Sequence, residues 1–267
     1  SEKVLFQCGD EDWYLSQPPK KEKGGACISL PEKVTLKPFA SSIRLDFKSP
    51  SAMEGGSLVG ASQLLQVSNR RALDRGTIIH GLFEEIVWSG QTLTEDGLLI
   101  KAEQLGNGQA DPQVQVDDFR KMLAQEMVQR VLSPSYYLEP TDEGVKQAIP
   151  AGIHSSSLRL EVHNERRFVV SDSGAMLSGA IDRLVLIYDN DQLLAVDIVD
   201  FKTDKIDADD PAAIEQRALH YKPQIEAYRR AVSTMFKLDL ERICGRLVFV
   251  CGGVVHGFSS KKTPSPA

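Results

Sequence analysis

The chain has 267 residues, 42% of them hydrophobic and 25% charged, with a formal net charge of −6. Such a composition builds a globular core and excludes wholesale disorder. The negative balance excludes a nonspecific nucleic-acid coat, which needs a basic surface, but not an enzyme that meets phosphates through a bound cation.

Residues 1–56 hold Pro18, Pro19, Pro31, Pro38 and Pro50, the pairs Gly24-Gly25 and Gly55-Gly56, and the run Lys20-Lys21-Glu22-Lys23. Breakers this frequent predict a linker or arm, with pieces such as Val34-Thr35-Leu36 as edge strands. Helical patterning begins near Ser57, with a short turn at residues 62–67. Asp74-Arg75-Gly76 then leads into a helix that buries Ile79, Phe83, Ile86 and Val87 and stops at Gly90. His80 and Glu84 share a second stripe of that helix; taken alone, such a histidine is more often structural than a ligand. Residues 91–112 read as irregular. Val116 to Leu132 reads as one amphipathic helix through Phe119, Met122, Met127 and Val131, ending at Ser133-Pro134. A loop follows over 134–155, with Tyr136 and Tyr137 as candidates to line a cleft.

Leu158 to Val170 alternates as a strand, apolar at Leu158, Leu160, Val162, Phe168 and Val170 and polar at Glu161, His163 and Glu165. Two more strands follow across the polar turn 188–192, which predicts a three-stranded meander. The first carries Asp182 beside Ala180, Leu184 and Leu186. The second carries Asp200 and Lys202 on the face of Val196 and Ile198. Parity turns Asp197 to the other face with Val199 and Phe201. Charges set into apolar strands are costly unless they are paired or bind metal. Two carboxylates and an ammonium converging at one strand end therefore mark a candidate site.

After Lys205, Asp207, Asp209, Asp210 and Pro211 open a helix running to Phe236. Its seam is Ile214, Ala218, Tyr221, Ile225, Tyr228 and Val232, with Gln224 beside Tyr221. A last strand, Gly245 to Cys251, precedes Gly252-Gly253 and a tail, 259–267, expected to be disordered. Cys8, Cys27, Cys244 and Cys251 form no CxxC pair. We read them as reduced, packed cysteines of a cytoplasmic protein, Cys244 and Cys251 on opposite strand faces. No apolar run reaches the roughly 20 residues of a membrane span, and no membrane partner is expected.

His80, Asp182 and Asp200 form a hard-ligand set suited to Mg2+ or Mn2+ rather than structural zinc. A lysine beside such a metal can orient or deprotonate an attacking water. The residues point to metal-assisted hydrolysis of a phosphate ester; spacing alone does not name the substrate.

Asp182, seventeen intervening residues and Asp200-Phe201-Lys202 resemble the signature of the PD-(D/E)XK nuclease superfamily. The surrounding motifs resemble its RecB-type nuclease domains, including those at the C-terminus of AddA-like helicase-nuclease subunits. RGTIIHGLFEEI is similar to their histidine helix, GAIDRLV and VDFKTD to their two catalytic strands, and YKPQIEAY to their Gln/Tyr helix. The resemblance implies an α/β fold, with a central mixed sheet flanked by helices. It implies metal ligation by His80, Asp182, Asp200 and the Phe201 carbonyl, with Lys202 as catalytic lysine. Glu165 matches an upstream catalytic Glu, and Tyr221, Gln224 and Tyr228 would contact DNA or position the lysine. Some relatives hold an iron–sulfur cluster with clustered late cysteines; this chain lacks them, so no cluster is expected.

The expectation is a nuclease domain over 57–258 acting on DNA as an Mg2+-dependent exonuclease, with Mn2+ as substitute. Its partners would be a helicase region in the same chain, ending in residues 1–56, and a second helicase-nuclease subunit, in the repair of DNA ends by recombination. One alternative is a module that has lost cleavage and only binds DNA or a partner. Retention of His80, Asp182, Asp200 and Lys202 together argues against it. Another is a free-standing nuclease of restriction or CRISPR-adaptation type, against which the proline-rich lead and the missing cysteine cluster weigh.

Overall fold

The computed structural model describes residues 47–53, 67–108, 110–172 and 174–258. Its strands are β1 (Phe47–Lys48), β2 (Leu158–Asp172), β3 (Ala175–Asp189), β4 (Gln192–Lys202), β5 (Ile243–Phe249) and β6 (Val254–Phe258). Its α-helices are α1 (Val67–Glu84), α2 (Glu95–Gly106), α3 (Pro112–Leu123), α4 (Glu126–Val131), α5 (Ser135–Leu138), α6 (Glu143–Ala148) and α7 (Pro211–Phe236). The strands form one six-stranded mixed sheet in the order β1-β3-β4-β5-β6, with β2 on the remaining edge of β3. The alternation that predicts β2, β3 and β4 yields the antiparallel meander, and β5 joins β4 in parallel through α7.

Each face of the sheet has its own core, because strand parity sorts the apolar residues. Val185, Val199, Phe201 and Val248 pack under α1–α6 with Ile79, Phe83, Phe119 and Tyr137. Leu184, Val196, Ile198 and Leu247 pack under α7 with Ile225, Tyr228 and Val232. Gly245 sets the approach of α7, since a Cβ there would stand 2.5 Å from Ile225 Cγ2. Asp210 caps α7 by accepting from the N–H groups of Ala212 and Ala213, with Pro211 in the first turn.

Several local expectations change. Helix α1 starts at Val67 and runs through Asp74-Arg75-Gly76 rather than beginning after it. It ends at Glu84 rather than near Gly90, because side chains take over the carbonyls that further turns would use. Asn164 donates to Glu84 O and Ile86 O (2.7 and 2.8 Å), and Arg183 donates to Ile86 O and Val87 O (2.8 and 2.6 Å). The stretch read as irregular holds α2, entered after Thr94 with Glu95 and Asp96 in its first turn and left at Asn107 with φ 49°. The single helix over 116–132 is two, broken where Gln125 turns extended. Tyr136 and Tyr137, expected at a cleft, are buried in the core.

Phe47–Lys48, placed by composition in the N-terminal arm, pair in parallel with Met176–Leu177. Strand β6, unforeseen, follows the Gly252-Gly253 turn as an antiparallel edge. Strand β5 ends at Phe249, so parity does not carry to Cys251, and Cys251 and Cys244 belong to the same core layer. Both thiols are free, and burial pushes that of Cys244 up to about 12. Residues 34–36, Cys8, Cys27 and the tail 259–267 lie outside the described residues. No helix among the described residues is long and apolar enough to cross a membrane.

Candidate functional site

The site forms where β3 loses a neighbour. Strand β2 follows one edge of β3 along its whole length, while β4 pairs with the other edge only from Arg183 opposite Val199 to Asp189 opposite Gln192. On that same edge β1 takes Met176–Leu177. Between these partners the ladder opens, and continuing its register would set Asp182 across from Asp200. Gly179 belongs to this opening: a Cβ there would lie 3.1 Å from Pro50 Cδ and 3.3 Å from Phe168 Cζ.

The fork leaves the Phe201 N–H without a backbone acceptor, and Asp182 Oδ2 accepts it at 2.8 Å. In an extended strand the N–H and C=O of one residue leave on the same edge, so the Phe201 carbonyl also faces the fork. The Lys202 carbonyl leaves on the other edge and accepts from Val250 N at 3.0 Å. The Phe201 ring is buried and stacks on Phe83 at 4.6 Å between centroids. Phe83 lies three residues beyond His80 on α1, so this stack sets the helix that carries the histidine.

His80 Nδ1 lies 3.2 Å from Asp182 Oδ2. Burial lowers the imidazole pKa, but the Asp182 carboxylate, assisted by Asp200, outweighs it and raises the group to about 8. Burial likewise pushes Asp182 up, yet the His80 charge and the Phe201 N–H hold it below the usual carboxylate range. Glu165 falls where the β2–β3 register is interrupted, between Asn164 opposite Arg183 and Arg166 opposite Ile181, with φ 48°, a left-handed conformation unusual for a strand residue. Its carboxyl is raised by burial and by the nearby Asp182 and Glu84. Ligand atoms of His80, Glu165 and Asp182 all lie within 4.8 Å of one another.

Asp200 is not in that group; its carboxylate turns to Lys202. Asp200 Oδ2 is 2.9 Å from Lys202 Nζ, and both side chains are nearly buried. Burial pushes the Asp200 carboxyl up to about 6 against the pull of Lys202. Lys202 Nζ donates to Gln224 Oε1 at 2.9 Å and sits 4.1 Å from the Tyr221 ring centroid. Gln224 Nε2 in turn donates to the Tyr228 hydroxyl at 3.2 Å. Tyr221, Gln224 and Tyr228 thus all stand on the lysine side of the fork.

Parity holds for Asp197, which lies on the opposite face and receives Arg246 Nε at 2.8 Å and Tyr137 OH at 3.0 Å. Two residues that the sequence reading passed over also reach the site. Asp204 Oδ2 accepts from Tyr221 OH at 2.9 Å, and Arg217 Nε donates to Asp204 Oδ1 at 2.9 Å. The available signal is spacing: Arg217, Tyr221, Gln224 and Tyr228 share one stripe of α7.

The residues suit a divalent cation. One imidazole and several carboxylates are a hard donor set for Mg2+-type ions. Asp200 Oδ2 is a buried oxygen at which no donor is directed in hydrogen-bond geometry, its neighbour Lys202 notwithstanding, and Glu165 and Asp182 crowd like charges that a cation would relieve. A cleft of about 760 Å3 opens onto this group, lined by Thr77, His80, Glu84, Asn164, Glu165 and Thr203 among others.

No curated protein matches the chain. A sequence profile of the PD-(D/E)XK nuclease superfamily matches residues 59–252, a span that begins ahead of α1, takes in the fork and ends beyond β5. With a match over well over half its length and a mixed six-stranded sheet flanked by helices, the chain belongs to the PD-(D/E)XK nuclease superfamily.

Proposed function

We propose that the domain, over 57–258, is an Mg2+-dependent deoxyribonuclease that hydrolyses phosphodiester bonds at DNA ends, Mn2+ substituting for Mg2+. The observation that carries this reading is the pairing of two clusters across one fork: His80, Glu165 and Asp182 on one side, Asp200 and Lys202 on the other. His80, Asp182, Asp200 and the Phe201 carbonyl, with Glu165 beside them, would hold the cation. When bound, a divalent cation supplies Lewis-acid charge to the phosphoryl oxygens and acidifies water.

The protein's own groups do the rest. Asp200 and Gln224 orient the Lys202 ammonium from two directions, so that Nζ can hold the attacking water and exchange a proton with it. Burial of Phe201, Gln224 and Tyr228 behind the site keeps bulk water to the cleft side. Beyond that cleft, Arg75, Lys121 and Lys205 line a second hollow of about 360 Å3. Arg75 and Lys121 share one carboxylate, Asp118. This positive spot on a chain of net charge −6 supports a docking place for backbone phosphates.

The wider setting rests on the RecB-type motifs. The domain would work within an AddA-like helicase-nuclease, with a helicase region in the same chain ahead of residue 57 and a second helicase-nuclease subunit, preparing DNA ends for recombinational repair. The test is digestion of end-labelled linear DNA with Mg2+, with EDTA, and with Lys202→Ala. We expect cleavage with Mg2+ alone and a loss of about 10²–10⁴-fold in the variant, with unchanged melting. Metal-independent cleavage, or full activity in Lys202→Ala, would overturn the reading.

A further inference from the structure

Tyr221 admits two roles: a surface for DNA or a support for Lys202. It is only 7% exposed, too little for a base to stack on its ring, and its hydroxyl is committed to Asp204 Oδ2 at 2.9 Å. Lys202 Nζ lies over the ring at 4.1 Å, within cation–π range. Asp204 follows Lys202 by two residues, just past the end of β4, so it belongs to the segment that the lysine terminates. Both Nε and Nη2 of Arg217 donate to its Oδ1, and the Arg217 guanidinium also sits 5.5 Å from the Tyr221 ring centroid. One carboxylate thereby ties two consecutive turns of α7 to the end of β4, and the ring it fixes is the seat of the ammonium.

We propose that Asp204, anchored by Arg217, is a positioning residue for cleavage: it holds the Tyr221 ring under Lys202, and Tyr221 serves the lysine rather than the nucleic acid. This rests on the nuclease reading of the site and extends it to Asp204, the last residue of VDFKTD, and to Arg217, which lies outside the quoted motifs. Arg217, at 44% side-chain exposure, keeps Asp204 turned towards α7, while Tyr221 passes the constraint inward. Loss of the tether leaves the ring in the core but frees its tilt, so Lys202 keeps Asp200 and Gln224 and loses its contact with the ring.

The test uses the full chain and two readouts. In steady-state cleavage of linear DNA with Mg2+, Asp204→Ala and Tyr221→Phe should each lower kcat by about tenfold, the lower end for outer-shell partners, at unchanged KM. The double variant should be no worse than either single one, because both remove the same link. Asp204→Asn, which keeps an acceptor for the hydroxyl, should recover part of the loss, and Asp204→Ala should add nothing in a Lys202→Ala background. A raised KM at constant kcat, or additive losses, would assign Tyr221 to DNA and overturn the proposal.

The second readout needs no catalysis. The Lys202 ε-methylene NMR signal, assigned by its absence in Lys202→Ala, should be shifted upfield by the ring and return towards the free-lysine position in Asp204→Ala. An unshifted signal in the unsubstituted protein overturns the seat. A shifted signal in a protein that cleaves no DNA refutes the nuclease reading and leaves the tether standing.

Discussion

Asp197 and Asp200 lie three residues apart on β4, both buried, and face opposite sides of the sheet. Asp197 is closed off within the protein. Arg246 Nε donates to both its oxygens at 2.8 and 3.0 Å, Tyr137 adds a third bond, and Arg246 is itself held by the Tyr136 hydroxyl and Asp142. Asp200 has Lys202 beside it, an oxygen that no hydrogen bond is aimed at, and Asp182 across an opened ladder. A buried charge that serves structure is satisfied by the fold. One that serves chemistry is left short of donors, so that something from outside completes it.

The largest effect should separate the two sides by stability. Arg246→Ala strands Asp197 in the core and should cost about 3–5 kcal/mol in urea unfolding. Asp200→Asn removes a carboxylate already forced up to about 6 by burial, so it should leave stability within about 1 kcal/mol while abolishing cleavage. Equal destabilisation by both would erase the distinction.

Next comes pH. The metal-free His80 holds its proton up to about 8, above the ordinary 6.5, so at neutral pH a cation must displace that proton. Affinity for Mn2+, measured by calorimetry, should therefore rise with pH and level off above about 8. Below that it should fall by up to about tenfold per pH unit, with Asp200 adding a second proton below about 6. A flat profile between these values would remove His80 from the ligands.

Glu165 gives a smaller test. Glycine at its φ of 48° relieves strain, so Glu165→Gly should raise stability by about 1 kcal/mol while weakening Mn2+ binding. A comparable loss of stability would assign Glu165 to the structural side. The smallest effect concerns the basic hollow. Removing Lys205 or Lys121 should flatten the salt dependence of DNA affinity by about 0.7–0.9 in log–log slope per residue, as for one phosphate contact each. An unchanged slope would leave these as surface ion pairs.

The sequence was most legible where side-chain periodicity is strong. The period-2 runs of β2–β4 and the Asp210-Pro211 start of α7 mark their elements, and parity alone assigns Asp197 and Asp200 to different faces. Helix α2 was not legible because its buried stripe is Leu98, Ala102 and Gly106, too small to register as hydrophobic periodicity. The early end of α1 depends on Asn164 and Arg183, which arrive from strands far along the chain. Asp204 was hidden for the same reason, since nothing beside it in sequence indicates that Arg217 and Tyr221 close on it. Glu165 was visible as an acid in a strand, but its left-handed turn towards Asp182 belongs to the fork.

The most direct measurement is a crystal structure grown with Mn2+, located by its anomalous scattering. We expect a peak in the fork, about 2.0–2.6 Å from a ring nitrogen of His80 and from carboxylate oxygens of Asp182 and Asp200, with Lys202 Nζ turned to the adjoining solvent. A fork without the ion at saturating Mn2+, or an ion bound elsewhere on the chain, would contradict the metal-dependent site.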